Sequence, residues 1–204
     1  MTGREAVLAR VRAALADRPG PVDVPRRYRT HGELPREQVI DRFVERVREY
    51  RAVVVVTDDP AAAVAVALGE HGAARVGVAA GLEPALRPAG AVDDTQLLPE
   101  ELDALDGAVT TCAAACSDTG TIALDGGPGQ GRRALTLLPD LHVCVVRAGQ
   151  IVETVPELFA LLEPSAAAGR PIVLVSGPSA TSDIELTRVE GVHGPRRLVV
   201  IVAP

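Results

Sequence analysis

Residues 52–79 read Ala52-Val-Val-Val-Val56-Thr-Asp58-Asp59-Pro60-Ala-Ala-Ala-Val-Ala-Val-Ala-Leu68-Gly69-Glu-His-Gly72-Ala-Ala-Arg75-Val-Gly-Val-Ala79. A continuous apolar run of strand length meets Asp58, Asp59 and Pro60, a helix-start signal with proline at the first helical position. Ala61–Leu68 carries the helix to Gly69 or Gly72, and Arg75–Ala79 returns as a strand. This is a βαβ unit, so the chain is expected to be an α/β protein with a mostly parallel sheet between helices.

Upstream, Val7, Leu8, Val11 and Leu15 form one stripe of a helix over residues 4–16, which Pro19, Gly20 and Pro21 stop. An extended linker runs to about His31. A second helix starts near Pro35 with Val39, Ile40, Phe43, Val44 and Val47 on its apolar face. Residues 1–48 thus read as a helical lead-in that packs on the α/β domain of residues 49–204 or on a second copy of the chain. Downstream, residues 81–100 hold short structure only. Strands are expected at about 107–111, 120–124, 141–147, 171–175 and 198–202, with a helix opening at Pro156–Leu162.

Composition narrows the chemistry. The net charge is −6 without a block of five like charges, which speaks against a nucleic-acid phosphate footprint. All 21 basic residues are arginine, which excludes a Schiff-base lysine and a P-loop lysine. No apolar run approaches a membrane span and the N-terminus shows no secretory h-region, so a cytoplasmic protein is expected. Cys112, Cys116 and Cys144 are too few for a four-thiolate cluster. With His142 they are candidate zinc ligands on alternate strand positions, but Cys116 among alanines and the lack of tight paired spacing favour core cysteines, and no metal is expected.

Three polar clusters carry the candidate site. In the first, Asp118-Thr119-Gly120-Thr121 sets an acid beside two hydroxyls, and Gly126–Arg133 packs glycines before two arginines. The glycine run misses both the P-loop and the dinucleotide fingerprint, so it reads as a turn that delivers Arg132 to the rim of a pocket. In the second, Ser176-Gly-Pro-Ser179-Ala-Thr-Ser-Asp183-Ile-Glu185 leaves an apolar strand, and strand ends are where α/β sheets bind ligands. Its spacing does not fit a serine-hydrolase elbow. In the third, Gly191-Val-His193-Gly-Pro-Arg196 puts a histidine in a glycine loop, as a general acid/base, an anion donor or a turn residue.

The set Asp118-Thr-Gly-Thr, Pro139-Asp-Leu-His142, Ser176–Glu185 and Gly191–Arg196 closely resembles the LUD domain, the family of lactate utilization protein C, over roughly residues 50–202. The resemblance implies a fold like the sugar-phosphate isomerase and CoA-transferase group. It also implies a part in bacterial oxidation of L-lactate to pyruvate, beside iron-sulfur partner proteins that hold the clusters this chain lacks. Asp118 stands where the family pattern has glutamate, so charge is kept and reach shortened. On this reading Asp118 and His193 are available for proton transfer. Thr119, Gly120, Thr121, Arg132, Ser176, Ser179, Asp183, Glu185 and Arg196 line a site for a small lactate- or pyruvate-like anion. Two other readings stand beside it: an independent enzyme acting on an acyl-CoA or a phosphorylated sugar, and a scaffold. Whether the chain itself catalyses is left open, as is a homo-oligomer.

Overall fold

The computed structural model describes residues 2–17, 20–182, 188–190 and 193–204, with residues 180–182 and 188–190 described at the backbone. In chain order the elements are α1 (Gly3–Ala14), α2 (Arg36–Glu49), β1 (Val53–Val56), α3 (Pro60–Glu70), β2 (Val76–Val78), β3 (Ala91–Asp93), α4 (Pro99–Asp103), β4 (Gly107–Thr111) and β5 (Ala114–Cys116). There follow β6 (Thr121–Leu124), β7 (Leu141–Arg147), β8 (Ile151–Val152), α5 (Val155–Ala167), β9 (Val173–Val175), β10 (Ala180–Ser182), β11 (Arg188–Glu190) and β12 (Arg197–Ala203).

A six-stranded sheet in the order β1-β12-β7-β4-β2-β3 is parallel throughout, as the opening βαβ unit leads one to expect. Its central strands are covered on both faces, which is why they are apolar at nearly every position. Leu141, Val143 and Val145 of β7 and Val199 and Ile201 of β12 pack with Val64, Ala67 and Leu68 of α3. The alternate residues Cys144, Val146, Leu198, Val200 and Val202 pack with Val39, Phe43, Val44 and Val47 of α2.

The strands expected at 120–124 and 171–175 do not join this sheet. They form a second one, in the order β8-β5-β6-β9, where β6 is antiparallel to both β5 and β9. Ala115, Ile122, Leu124 and Ile151 turn inward to the α2 cluster, while Ala114, Cys116 and Ala123 turn outward to Leu158 and Leu162 of α5. Thr154 caps α5, accepting from the Glu157 N–H while the Glu157 carboxylate accepts from the Thr154 N–H at 2.8 Å.

The two lead-in helices differ. α2 is bound into the core. α1, although capped by a Thr2–Glu5 box, buries no residue, and its stripe Val7, Leu8, Val11 and Leu15 is 39–62% exposed. Of the two placements expected for the lead-in, on the domain or on a second copy of the chain, α1 does not take the first.

The Asp118–Thr121 turn is pressed against α2. Gly120 has φ +60°, and a Cβ there would sit 2.8 Å from the Arg46 Cβ, 2.9 Å from the Arg46 carbonyl carbon and 3.0 Å from the Val47 nitrogen. Gly120→Ala is expected to cost about 2 kcal/mol, from the left-handed backbone together with the forced displacement of a helix backbone. Urea unfolding of the two proteins checks it; an unchanged midpoint would contradict the close packing.

Candidate functional site

The antiparallel register Ile122↔Val175 sets Thr121 beside Ser176. Their hydroxyls join at 2.8 Å, and Thr121 joins Thr119 at 2.7 Å, so three of the expected site residues form one hydroxyl chain. Asp118 points elsewhere. Its carboxylate accepts from Arg42 at 2.7 Å and from Arg29, both in the segment before β1. Arg29 also donates to Glu153 at 2.8 Å, and Glu153, only 5% exposed, accepts the Leu34 N–H at 2.7 Å. Gly32 lies so close that a Cβ would meet the Glu153 carboxylate at 2.2 Å. Asp118 and Glu153 together thus tie the lead-in to the second sheet and α5. Sequence reasoning missed Arg29, Arg42 and Glu153, because their pairing is made between segments more than seventy residues apart.

The glycine run is braced from inside. Asp125 accepts from the Gly127 N–H at 3.0 Å, the Gln130 side-chain amide at 2.8 Å, Ser165 at 2.5 Å and Arg170 at 2.9 Å. The Gly129 N–H goes to Ala80 and that of Gln130 to Gly127, so three of the loop's donors are already used. Arg132 grips Asp94 bidentately at 2.8 and 2.9 Å and also donates to the Leu97 carbonyl. Burial pushes the Asp94 carboxyl up, but the Arg132 contact and the N–H groups of Leu97 and Gln96 hold it, on balance, below its ordinary value. The rim that Arg132 occupies belongs to an open crevice of about 790 Å³ beside Ala79 and Asp94, at the carboxyl ends of β2 and β3.

The second and third polar clusters meet each other instead. The Ser179 N–H donates to the Pro195 carbonyl at 2.7 Å, and the His193 N–H donates to the Ser179 hydroxyl at 3.1 Å. They close a cavity of about 280 Å³ at the amino ends of β7 and β12, lined also by Leu137, His142, Val175 and Leu198. His193 and Gly194 also line a second, larger cavity of about 670 Å³ that holds Arg133, Asp140 and Arg196. Arg196 donates to Asp140 at 2.6 Å. Asp183 and Glu185 lie outside the described residues.

His142 sits at the inner cavity, 2% exposed, with Nε2 and the fully buried Thr110 hydroxyl 2.8 Å apart. Burial lowers its pKa to about 4, so the ring is neutral at physiological pH. Sequence reasoning placed His142 only as a motif position and a possible zinc ligand. The one available signal was a histidine inside the otherwise apolar run Leu141–Val146. The zinc set does not assemble: Cys112 Sγ reaches Gln150, Cys116 Sγ reaches the Glu153 carbonyl, and Cys144 Sγ reaches the Thr111 carbonyl. Among the described residues no group of three His, Cys, Asp or Glu side chains is arranged to hold a metal ion.

Comparison with known proteins fits this architecture. The model of a family described as LUD domain matches residues 40–203. A lactate utilization protein C of Deinococcus radiodurans is 47% identical over 180 residues, spanning 86% of this chain and 84% of that protein. A protein of the same name from Halalkalibacterium halodurans is 33% identical over 109 residues, spanning 52% of this chain and 47% of that protein. The crystal structure of a DUF162 family protein from Deinococcus radiodurans superposes with a TM-score of 0.74 at 40% identity, covering 84% of this chain and 100% of that one. With a family match over most of its length and a relative close to half identical along nearly the whole of both chains, the protein belongs to the LUD domain family.

Proposed function

We propose that this protein serves lactate utilization by holding a small carboxylate, lactate or pyruvate, in the cavity between the Ser179 and His193 loops. The observation that carries the reading is that convergence. The loops that enter and leave the β10–β11 hairpin, with Ser179 and His193 14 residues apart, close on a cavity of about 280 Å³, room enough for a small carboxylate, with Arg133 and Arg196 in the cavity next to it. Guanidinium groups suit a carboxylate because their fork matches its two oxygens. His193, exposed at the shared wall, is placed to take or give a proton as the acid is oxidised.

Oxidation of lactate to pyruvate breaks the O–H and the C–H bond at carbon 2 and releases two protons and two electrons: the hydroxyl proton goes to His193, the other proton to solvent, and the electrons need an acceptor. In this proposal iron-sulfur partner proteins take them in the cytoplasm, and this chain supplies the bound acid. No helix among the described residues is long and apolar enough to cross a membrane. The exposed stripe of α1 is available to a partner or to a second copy. Asp118 enters the reading through the Arg29 and Arg42 anchor and not through the cavity.

The test is growth. A deletion strain given L-lactate as sole carbon source is expected to stop growing, while growing normally on glucose. The wild-type gene restores growth, and the doubly substituted Ser179→Ala, His193→Ala form does not, since loss of a proton-transfer group slows a reaction by about a hundredfold or more. Normal growth of the deletion strain on L-lactate would end the proposal.

A further inference from the structure

His142 is a buried polar group that packing alone does not explain. It stands second in a strand whose other residues from Leu141 to Val146 are apolar, and it is 2% exposed. A buried polar ring is costly unless its nitrogens are satisfied. Nε2 is met by Thr110, whereas Nδ1 has no hydrogen-bond partner among the described residues, and the ring lines the inner cavity. A half-satisfied imidazole at the floor of a cavity is what a ligand oxygen would complete.

We infer that His142 is a ligand-binding residue that selects short 2-hydroxy or 2-oxo acids, its free ring nitrogen hydrogen-bonding the oxygen on carbon 2 while the carboxylate lies towards Arg133. The inference rests on the binding reading proposed above and deepens it.

The chemistry divides the ligand between the two cavities. The inner one offers the neutral His142 imidazole, the Thr136 and Ser179 hydroxyls and the apolar side chains of Leu137, Val175, Pro195 and Leu198 but no guanidinium, so it suits the oxygen on carbon 2 and the methyl group, while the carboxylate end of the acid lies at the His193 wall towards the outer cavity. The outer one offers guanidinium. Of the two arginines expected at the anion site, Arg132 is committed to Asp94 in another crevice and Arg196 is engaged by Asp140. Arg133 lines the outer cavity beside His193, and its guanidinium has no hydrogen bond or ion pair among the described residues. Thr110, fully buried on β4, acts as a positioning residue: its hydroxyl donates to or accepts from Nε2, and so sets whether Nδ1 presents a proton or a lone pair. A hydroxyl ligand can use either form, and a 2-oxo oxygen needs the proton.

Isothermal titration of the full chain with L-lactate, pyruvate and propionate tests this, because propionate keeps the carboxylate and methyl group but lacks the oxygen. The wild type is expected to bind lactate and pyruvate at least about tenfold more tightly than propionate, since a buried polar group left unpaired penalises the analogue. His142→Leu is expected to bring lactate and pyruvate down to the propionate level and leave propionate unchanged. Arg133→Gln is expected to weaken all three and keep their ratio. Should His142→Leu not fold, the ring nitrogen resonances of His142 in the wild type give the same answer, shifting on saturation with lactate and not with propionate. A folded His142→Leu protein that still discriminates, a wild type that does not, or an unshifted ring would overturn the assignment of His142 alone. A wild type that binds none of the three acids would overturn this assignment and the binding proposal together.

Discussion

Replacing Phe43 by alanine is expected to destabilise the protein by about 4 kcal/mol and to lower its melting temperature by about 10 °C. Phe43 is fully buried on α2, in a cluster that takes in Ala115 and Ile122 of the second sheet and Cys144, Val146 and Val200 of the first. The ring is therefore at the junction of two sheets and a helix, where neighbours fixed by strand pairing have little freedom to collapse into the space it leaves. Removing a large side chain under such constraint adds a cavity term to the lost transfer energy. Val11→Ala on α1 supplies the control, because Val11 is 48% exposed and its loss is expected to stay within about 0.5 kcal/mol. Calorimetry of the two variants decides the matter; equal melting temperatures would mean that α2 is no more part of the core than α1. The expected contrast divides the first 48 residues by energetics: α1 is replaceable, and α2 holds the sheets together.

The strands that could be read from the sequence are the ones whose environment is uniform. β7 and β12 are covered on both faces, so each shows as an unbroken apolar run with clear ends. β5 and β8 were invisible, because Ala114–Cys116 holds only small residues and Ile151–Val152 is two residues long. The run 171–175 showed itself as a strand but not which sheet it joins. An apolar run records burial, whereas its partner is chosen by tertiary pairing, here β6. The site shows the same division. Ser179 and His193 stood out as polar residues in glycine-rich loops, and the structure brings them together. Arg132 and Arg133 are neighbours with no local difference, yet they face separate crevices because Asp94, 38 residues away, captures the first. Asp118 looked like a free acid and is held by two arginines from the lead-in. Each of these differences turns on a contact made across the fold, which spacing along the chain does not record.

Between pH 6.5 and pH 4 the protein is expected to lose on the order of 3 kcal/mol of stability through His142 alone. Burial holds this imidazole at a pKa of about 4 in the native state, against about 6.5 in the unfolded chain. Between those values the unfolded chain binds a proton that the folded protein refuses, so stability rises with pH across the window, is complete above pH 6.5 and is lost as pH falls towards 4. The carboxylates act in a different range. Asp94, Asp125, Asp106 and Glu157 all have lowered values, so their contributions are present above the ordinary carboxylate range and disappear only as pH falls through and below it. Urea unfolding from pH 7.5 to 4.5 therefore isolates the histidine. His142→Leu should lie nearly flat across this range while the wild type falls, and the substituted protein should become the more stable of the two, relative to their order at pH 7.5, as pH drops. Parallel curves for the two proteins would show that the proton responsible for acid sensitivity enters elsewhere. They would also mean that the ring at the cavity floor meets water freely, since desolvation is the sole cause of its lowered pKa.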